Sequence, residues 1–440
     1  MNKSLKFLTL SFAGFLLFSS CYNTDPVANY PTVVTKDIQI GIEKYIDFKT
    51  REGKGYLKFS SGDNNFSFML VRIHTEYLAN LGYQHHFACV DLVDTKGDVY
   101  DVDFFLSGDP GNMKVTETTL HKLNGKPFYA WEQSYDKTWS RVPIEDASKE
   151  LLGVKSGIDE FEFKYYAELP EISKTAQLWI PLPTSDQFQQ VEINIIQAPK
   201  NSQVLTETKY GNKIYYFELK PEDSGKIIDI RFMVKRKEKA SYPVKNEDVN
   251  LYLGGVDNRG KFQTIAEEIV KGKKGNLVRA RALYDHVIDR ISYIKYGSGW
   301  GKGDAVYACD AATGNCTDFH AYYIALARSI GIPARFAIGA SIPSMRDDGG
   351  ISGYHCWAEF YAEGKWWPVD ISEADKYTSL STYYFGHHPA NRLEFSRGRH
   401  LIVEPGPKSG PINFLAYPVF EQEGKSIKIP VKFSFIRGKT

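Results

Sequence analysis

Cys316 stands where a helix should begin. After it, Phe319, Tyr322, Tyr323, Leu326, Ala327 and Ile330 recur at helical spacing, Gly331 follows as a C-terminal cap, and Pro333 prevents the helix from resuming. Asn315 fits an N-cap and places Cys316 in the first turn. There the unpaired amide N–H groups and the helix dipole favour a thiolate, and one N–H could face the oxyanion of a tetrahedral intermediate. Such a nucleophile needs a base. Residues 354–361 (Tyr-His-Cys-Trp-Ala-Glu-Phe-Tyr) read as a strand and 365–370 (Lys-Trp-Trp-Pro-Val-Asp) as its partner. With Glu363-Gly364 as a two-residue turn, position 357 lies opposite 370 and position 355 opposite 372. His355 and Asp370 are then diagonal neighbours on one face, where the carboxylate can fix the imidazole tautomer. Cys356 points to the other face and is not read as the nucleophile. His320, one turn from Cys316, is the rival base; His355 is preferred because it approaches from another element and has an orienter. The chemistry expected is acyl transfer from an amide: Cys316 as nucleophile, His355 as base and then acid, Asp370 as orienter.

The elements around these residues change character along the chain. Residues 36–150 carry strand-like runs at 56–59, 86–90 and 99–106, with about 65–82 read as a helix, and form a small α+β module with no visible chemistry. Residues 155–243 alternate as strands at 161–165, 191–195, 215–219 and 227–234, which favours a β-sandwich domain. Two helical faces follow, Phe262–Val270 and Leu277–Ile291, then a Gly-rich stretch, 297–303, read as a mobile loop. That stretch lacks the spacing of a phosphate loop. Residues 246–405 make the domain that bears Cys316, and 406–440 a C-terminal β extension with a hairpin around Gly424.

Composition excludes some functions. With 54 basic and 53 acidic residues the formal charge is +1, which gives no electrostatic footprint for a nucleic-acid partner. The aromatic share of 14% favours β-rich architecture. His85-His86 and His387-His388 lack a third ligand at metal spacing and read as solvated positions, and no calcium-loop pattern occurs, so neither metal nor cofactor is expected. Asp318 and Arg335 read as residues that fix local structure, Trp300, Trp366 and Trp367 as cleft-lining candidates of which at least two are read as core, and 235–239 as a solvated charged strand end. Lys3 and Lys6, an apolar run from Phe7 to Phe18, and Ser19-Ser20-Cys21 make residues 1–21 a targeting segment, with 22–35 a tether to the body. Small residues directly before Cys21 resemble a bacterial lipoprotein signal, and that resemblance implies a diacylated Cys21 held in the bilayer. By resemblance to enterobacterial sorting, Tyr22 after the cysteine implies the outer membrane. Of the other cysteines, Cys309 and Cys356 are the pair to test for a disulfide, with Cys89 left over; three buried free thiols are the equal alternative.

Gly-Asn-Cys-Thr-Asp-Phe-His at 314–320, Ala-Leu-Ala-Arg-Ser-Ile-Gly-Ile-Pro-Ala-Arg at 325–335, and the span from His355 to Asp370 together resemble the bacterial transglutaminase-like superfamily. The resemblance covers about 250–405. It implies an α+β fold: a papain-like transglutaminase core, here preceded by a β-sandwich domain and the small N-terminal module, with Cys316, His355 and Asp370 as its triad. It further implies a peptide or protein substrate and a thioester acyl-enzyme, resolved by water in a peptidase or amidase, or by an amine in a crosslinking acyltransferase. A non-catalytic peptide- or glycan-binding envelope protein is the other class that the fold allows.

Overall fold

A computed structural model describes residues 32–61, 64–135, 138–244, 247–295 and 298–438. The leader at 1–21 with its lipidation candidate Cys21, and most of the 22–35 tether, lie outside the described residues. The fold is α+β. Among the described residues no helix is long and apolar enough to cross a membrane.

The N-terminal module is an antiparallel meander of Leu57–Ser61, Asn64–Ile73, His85–Asp94, Val99–Ser107, Lys114–Leu123 and Lys126–Pro127, in that spatial order. Its helix is Thr35–Glu52, whose Ile38, Ile42 and Ile46 recur at four-residue spacing and bury against Leu57, Phe68, Val90, Val102 and Phe104. The helix expected at about 65–82 is instead the strand Asn64–Ile73. The run Phe-Met-Leu-Val hides a period of two in Phe66 and Phe68, whose rings stack 5.2 Å apart on the covered face.

Two five-stranded sheets form the sandwich. One orders Gln189–Gln197, Ile227–Lys237, Ile158–Glu168, Val431–Ile436 and Asp348–Ile351; the other orders Ser202–Thr206, Lys213–Leu219, Ala176–Leu182, Val419–Gln422 and Lys425–Ile427. The segment 406–440 is therefore not an appendage. Its strands complete both sheets, and Arg437 is bound to the buried Asp159 through two 2.8 Å contacts. Alternation on Ile158–Glu168 sends Phe161, Phe163, Tyr165 and Ala167 inward. Two residues overturn the solvated reading of 235–239. Lys235 and Lys237 face out while alternation on Ile227–Lys237 buries Arg236 on Gln189 (2.9 Å), and past the strand end Lys239 is buried on Glu359 (2.9 Å).

The third body is an antiparallel sheet ordered Tyr242–Pro243, Lys365–Val369, His355–Ala362, Ala334–Ser341 and Arg392–Arg397. The helix Cys316–Ser329 packs on its two central strands, surrounded by Arg259–Ile269, Asn276–Arg290 and Ala305–Ala311. Thirteen of the fourteen residues of Cys316–Ser329 are buried, so this is a central helix rather than an amphipathic surface one. One hydrophobic core runs from the sandwich into this body: Phe163 and Tyr165 of the sandwich meet Phe395 with ring centroids 5.4 and 6.2 Å apart.

Candidate active site

Asn315 caps the central helix. Its side-chain oxygen accepts from the Thr317 N–H at 2.9 Å, which leaves Cys316 as the first helical residue. Asp318 closes the turn from the other side. Its carboxylate accepts from the backbone N–H groups of Asn315 (3.0 Å), Gly301 (2.6 Å) and Gly303 (3.0 Å). The described part of the Gly-rich stretch is thus anchored over the helix start, contrary to its reading as a free loop. Gly303 also presents its carbonyl to Arg399.

The hairpin has the expected register, with Ala358 opposite Val369 and Ala362 opposite Lys365. Glu363 and Gly364 both take positive φ, 52° and 76°, as a two-residue turn of matching twist requires. Continued one step, that register sets Asp370 opposite Trp357, on the face that carries His355. Asp370 caps the short helix Ile371–Lys376. His355 Nε2 lies 2.6 Å from Asp370 Oδ2, which leaves Nδ1 for the neighbouring Cys316 thiol. Arg392, not singled out in the sequence, donates to the same Asp370 oxygen at 3.3 Å, and Ser372 Oγ donates to the other at 3.2 Å.

All three groups are buried; Cys316 keeps 2% of its surface and His355 8%. Burial alone would raise the Cys316 thiol, but hydrogen bonds to Cys356 and His355 and the adjacent imidazolium hold it well below its ordinary value. Burial alone would lower His355, yet the Asp370 charge and hydrogen bond, with the contact to Cys316, push it up to about 10. For Asp370, His355 and Arg392 overcome desolvation and keep the carboxylate ionised. Both shifts favour a thiolate–imidazolium pair backed by a carboxylate.

His320 is committed elsewhere. Its Nδ1–H donates to the Cys316 carbonyl at 2.6 Å, and its Nε2 accepts the Ile371 N–H at 3.0 Å, the tautomer following from those partners. Burial lowers its pKa, so it is neutral. It ties the segment bearing Cys316 to the one bearing Asp370, and neither nitrogen is left to take a proton.

Cys356 does lie on the strand face opposite His355, but that face packs on the first turn of the central helix. Its sulfur lies 3.7 Å from Thr317 Oγ1 and 3.9 Å from His320 Nδ1. Cys309 and Cys356 are not paired: Cys89, Cys309, Cys316 and Cys356 are all free thiols. The solvated reading of the histidine pairs fails for one member of each. His86 is buried on the Gly108 carbonyl at 2.9 Å, and His388 is fully buried beside Trp357. Arg335 fixes the sheet through Glu359 (2.7 Å) and Glu247 (2.7 Å), while the Trp366 and Trp367 indoles donate to Glu247 and to the Ala362 carbonyl. In the N-terminal module His74, Cys89 and Asp101 bring ligand atoms within 4.8 Å of one another. There His74 already bonds Asp91 at 2.8 Å and Asp101 already pairs with Lys122, which supplies the positive charge a metal would bring.

Residues 263–371 match the model of the Transglutaminase-like superfamily. The chain is 26% identical over 316 residues to an uncharacterized protein of Haemophilus influenzae, covering 60% of this chain and 86% of the relative. It is also similar to a solved structure of a candidate cysteine protease from Cytophaga hutchinsonii, at 14% identity and a TM-score of 0.45 over 64% of this chain and 93% of the other. A candidate protease from Parabacteroides distasonis matches at 12% identity and a TM-score of 0.22 over 64% of this chain and 63% of the other. The span that matches the Transglutaminase-like superfamily holds Cys316 at the head of the central helix, His355 opening the strand His355–Ala362, and Asp370 next to its end.

Proposed function

We propose that this chain is a cysteine-dependent amide hydrolase, a peptidase or amidase, held at the bacterial envelope by an acylated Cys21 in the outer membrane and facing the periplasm. The observation that carries the catalytic reading is the His355 imidazole, held by Asp370 at 2.6 Å through Nε2 beside Cys316 at the head of the central helix. The Cys316 thiolate attacks the amide carbonyl and forms a C–S bond. The tetrahedral oxyanion is met by the Cys316 N–H, since the Thr317 N–H is taken by Asn315. His355 gives its proton to the leaving amine, the C–N bond breaks and a thioester remains. His355, now neutral, takes a proton from water, which adds to the thioester and releases acid and thiolate. Water is favoured over an amine as acceptor because it is present in great excess in the periplasm, and crosslinking needs a cleft that excludes it. The acceptor thus turns on cleft shape rather than on the triad.

A thiol-reactive amide probe tests the assignment. Rapid labelling of Cys316 that is lost in His355→Ala supports an enzyme; a sluggish thiol with no dependence on His355 sinks it in favour of a binding protein. A glutamine-containing peptide offered with a labelled primary amine then separates the acceptors: free acid is expected, and predominant amine incorporation overturns hydrolysis.

A further inference from the structure

Cys356 has no role in the triad, yet its sulfur lies 3.7 Å from Thr317 Oγ1 and 3.9 Å from His320 Nδ1, the residues one and four positions beyond Cys316, which fixes it beneath the first turn of the central helix. It follows His355 on one strand, so the residue that supplies the imidazole and the residue that supplies the second thiol are adjacent and point to opposite faces of the sheet. Neither cysteine is bonded. The other free thiols of the described residues are engaged elsewhere, Cys309 beside Tyr322 and Arg290 and Cys89 in the N-terminal module. An activated thiolate with a second thiol against it is the arrangement in which oxidation ends in a disulfide rather than in higher oxides.

We propose that Cys316 and Cys356 form a reversible redox pair, in which a peroxide-class oxidant converts Cys316 to a sulfenic acid and Cys356 resolves it to a disulfide that closes the active site. The inference deepens the proposed function and rests on its reactive Cys316. The thiolate sulfur attacks one peroxide oxygen; the O–O bond breaks and the departing hydroxide takes a proton to become water. The Cys356 sulfur then attacks the Cys316 sulfur, loses its proton and displaces hydroxide, which leaves as a second water. Two thiols are oxidised by two electrons and one peroxide is reduced to two waters. The nucleophile is then blocked until a thiol reductant exchanges with the bond.

The test uses the full chain, reduced, exposed to hydrogen peroxide, alkylated without reduction and mapped by mass spectrometry. The expected product links the peptide bearing Cys316 to the one bearing Cys356. Probe labelling of Cys316 should fall about tenfold and return on treatment with dithiothreitol. In Cys356→Ala and Cys356→Ser the link is absent and dithiothreitol recovers about tenfold less labelling, because Cys316 passes on to sulfinic acid. Cys309→Ala should keep the link. If wild-type Cys316 reaches sulfinic acid as readily as it does in Cys356→Ala, or links to Cys309, the pairing is overturned. Rapid labelling of the reduced protein without any link overturns the pairing alone, whereas slow labelling of the reduced protein overturns the reactive thiolate and the pairing together.

Discussion

Cys316 and His320 share one helical turn, but a base must have a nitrogen to spare, and His320 has none. Both its nitrogens are held by backbone, at 2.6 Å and 3.0 Å, whereas His355 keeps one for the thiol. His355→Ala is therefore expected to lower amide turnover about 10²–10⁴-fold. It should also move the pH midpoint for Cys316 alkylation up toward that of an ordinary thiol. In the wild type that midpoint lies well below the ordinary value, and turnover should fall as the pH rises through about 10, where His355 loses the proton it must donate. A wild-type alkylation midpoint at the ordinary thiol value would refute the ion pair. Asp370→Asn keeps the shape but replaces the carboxylate that orients His355, and turnover should drop about 10³–10⁴-fold with little change in KM, measured by steady-state kinetics. His355 and Asp370 were legible in the sequence because a two-residue turn sets a register that can be counted. Arg392, which supports Asp370 from a strand 22 residues on, was not, because nothing local marks which strand will lie beside the hairpin.

At the level of elements, legibility follows the range of the interactions. The central helix and the 355–370 hairpin could be read because cap, period and turn are local signals. The strand Asn64–Ile73 could not, since a continuous apolar run fits helix and strand alike. Neither could the anchoring of 301–303, which is made by a carboxylate on another element. Asp318→Asn preserves volume but weakens the acceptor for three buried backbone N–H groups, and a loss of about 1–3 kcal/mol is expected in urea denaturation. The sheet has its own tight point. Gly339 lies opposite His355, and a Cβ there would stand 1.8 Å from the Leu393 carbonyl oxygen, which belongs to the backbone and cannot swing away. Gly339→Ala should cost at least about 3 kcal/mol and displace His355. Gly254→Ala, where a Cβ meets nothing within 4 Å, should melt like the wild type. Equal melting temperatures for the two variants would show that the sheet yields at this point.

Across the whole molecule, the chain closes on itself late. Strands Val419–Gln422 and Val431–Ile436 enter the two sandwich sheets beside strands that precede them by about 240 to 270 residues, and the shared core carries that closure to the sheet of the candidate site. The N-terminal module adds a second junction. Asp375, on the short helix that Asp370 caps, is fully buried, with Lys126 of the module 3.5 Å away, while the Gly125 turn packs on Tyr293. Desolvation outweighs Lys126 and pushes Asp375 up to about 7, from an ordinary carboxylate value of 3.8. A raised folded pKa means that the native state holds the proton more tightly than the unfolded chain. This contribution to stability is complete below about 4 and is lost as the pH rises through about 7. Asp375→Asn removes the buried charge without changing shape. Its melting temperature should exceed that of the wild type by a margin that grows between pH 5 and pH 8, measured by thermal unfolding at both pH values. If the variant instead melts lower at pH 8, the Lys126 pair outweighs desolvation, and the module is held to the catalytic body by charge rather than in spite of it.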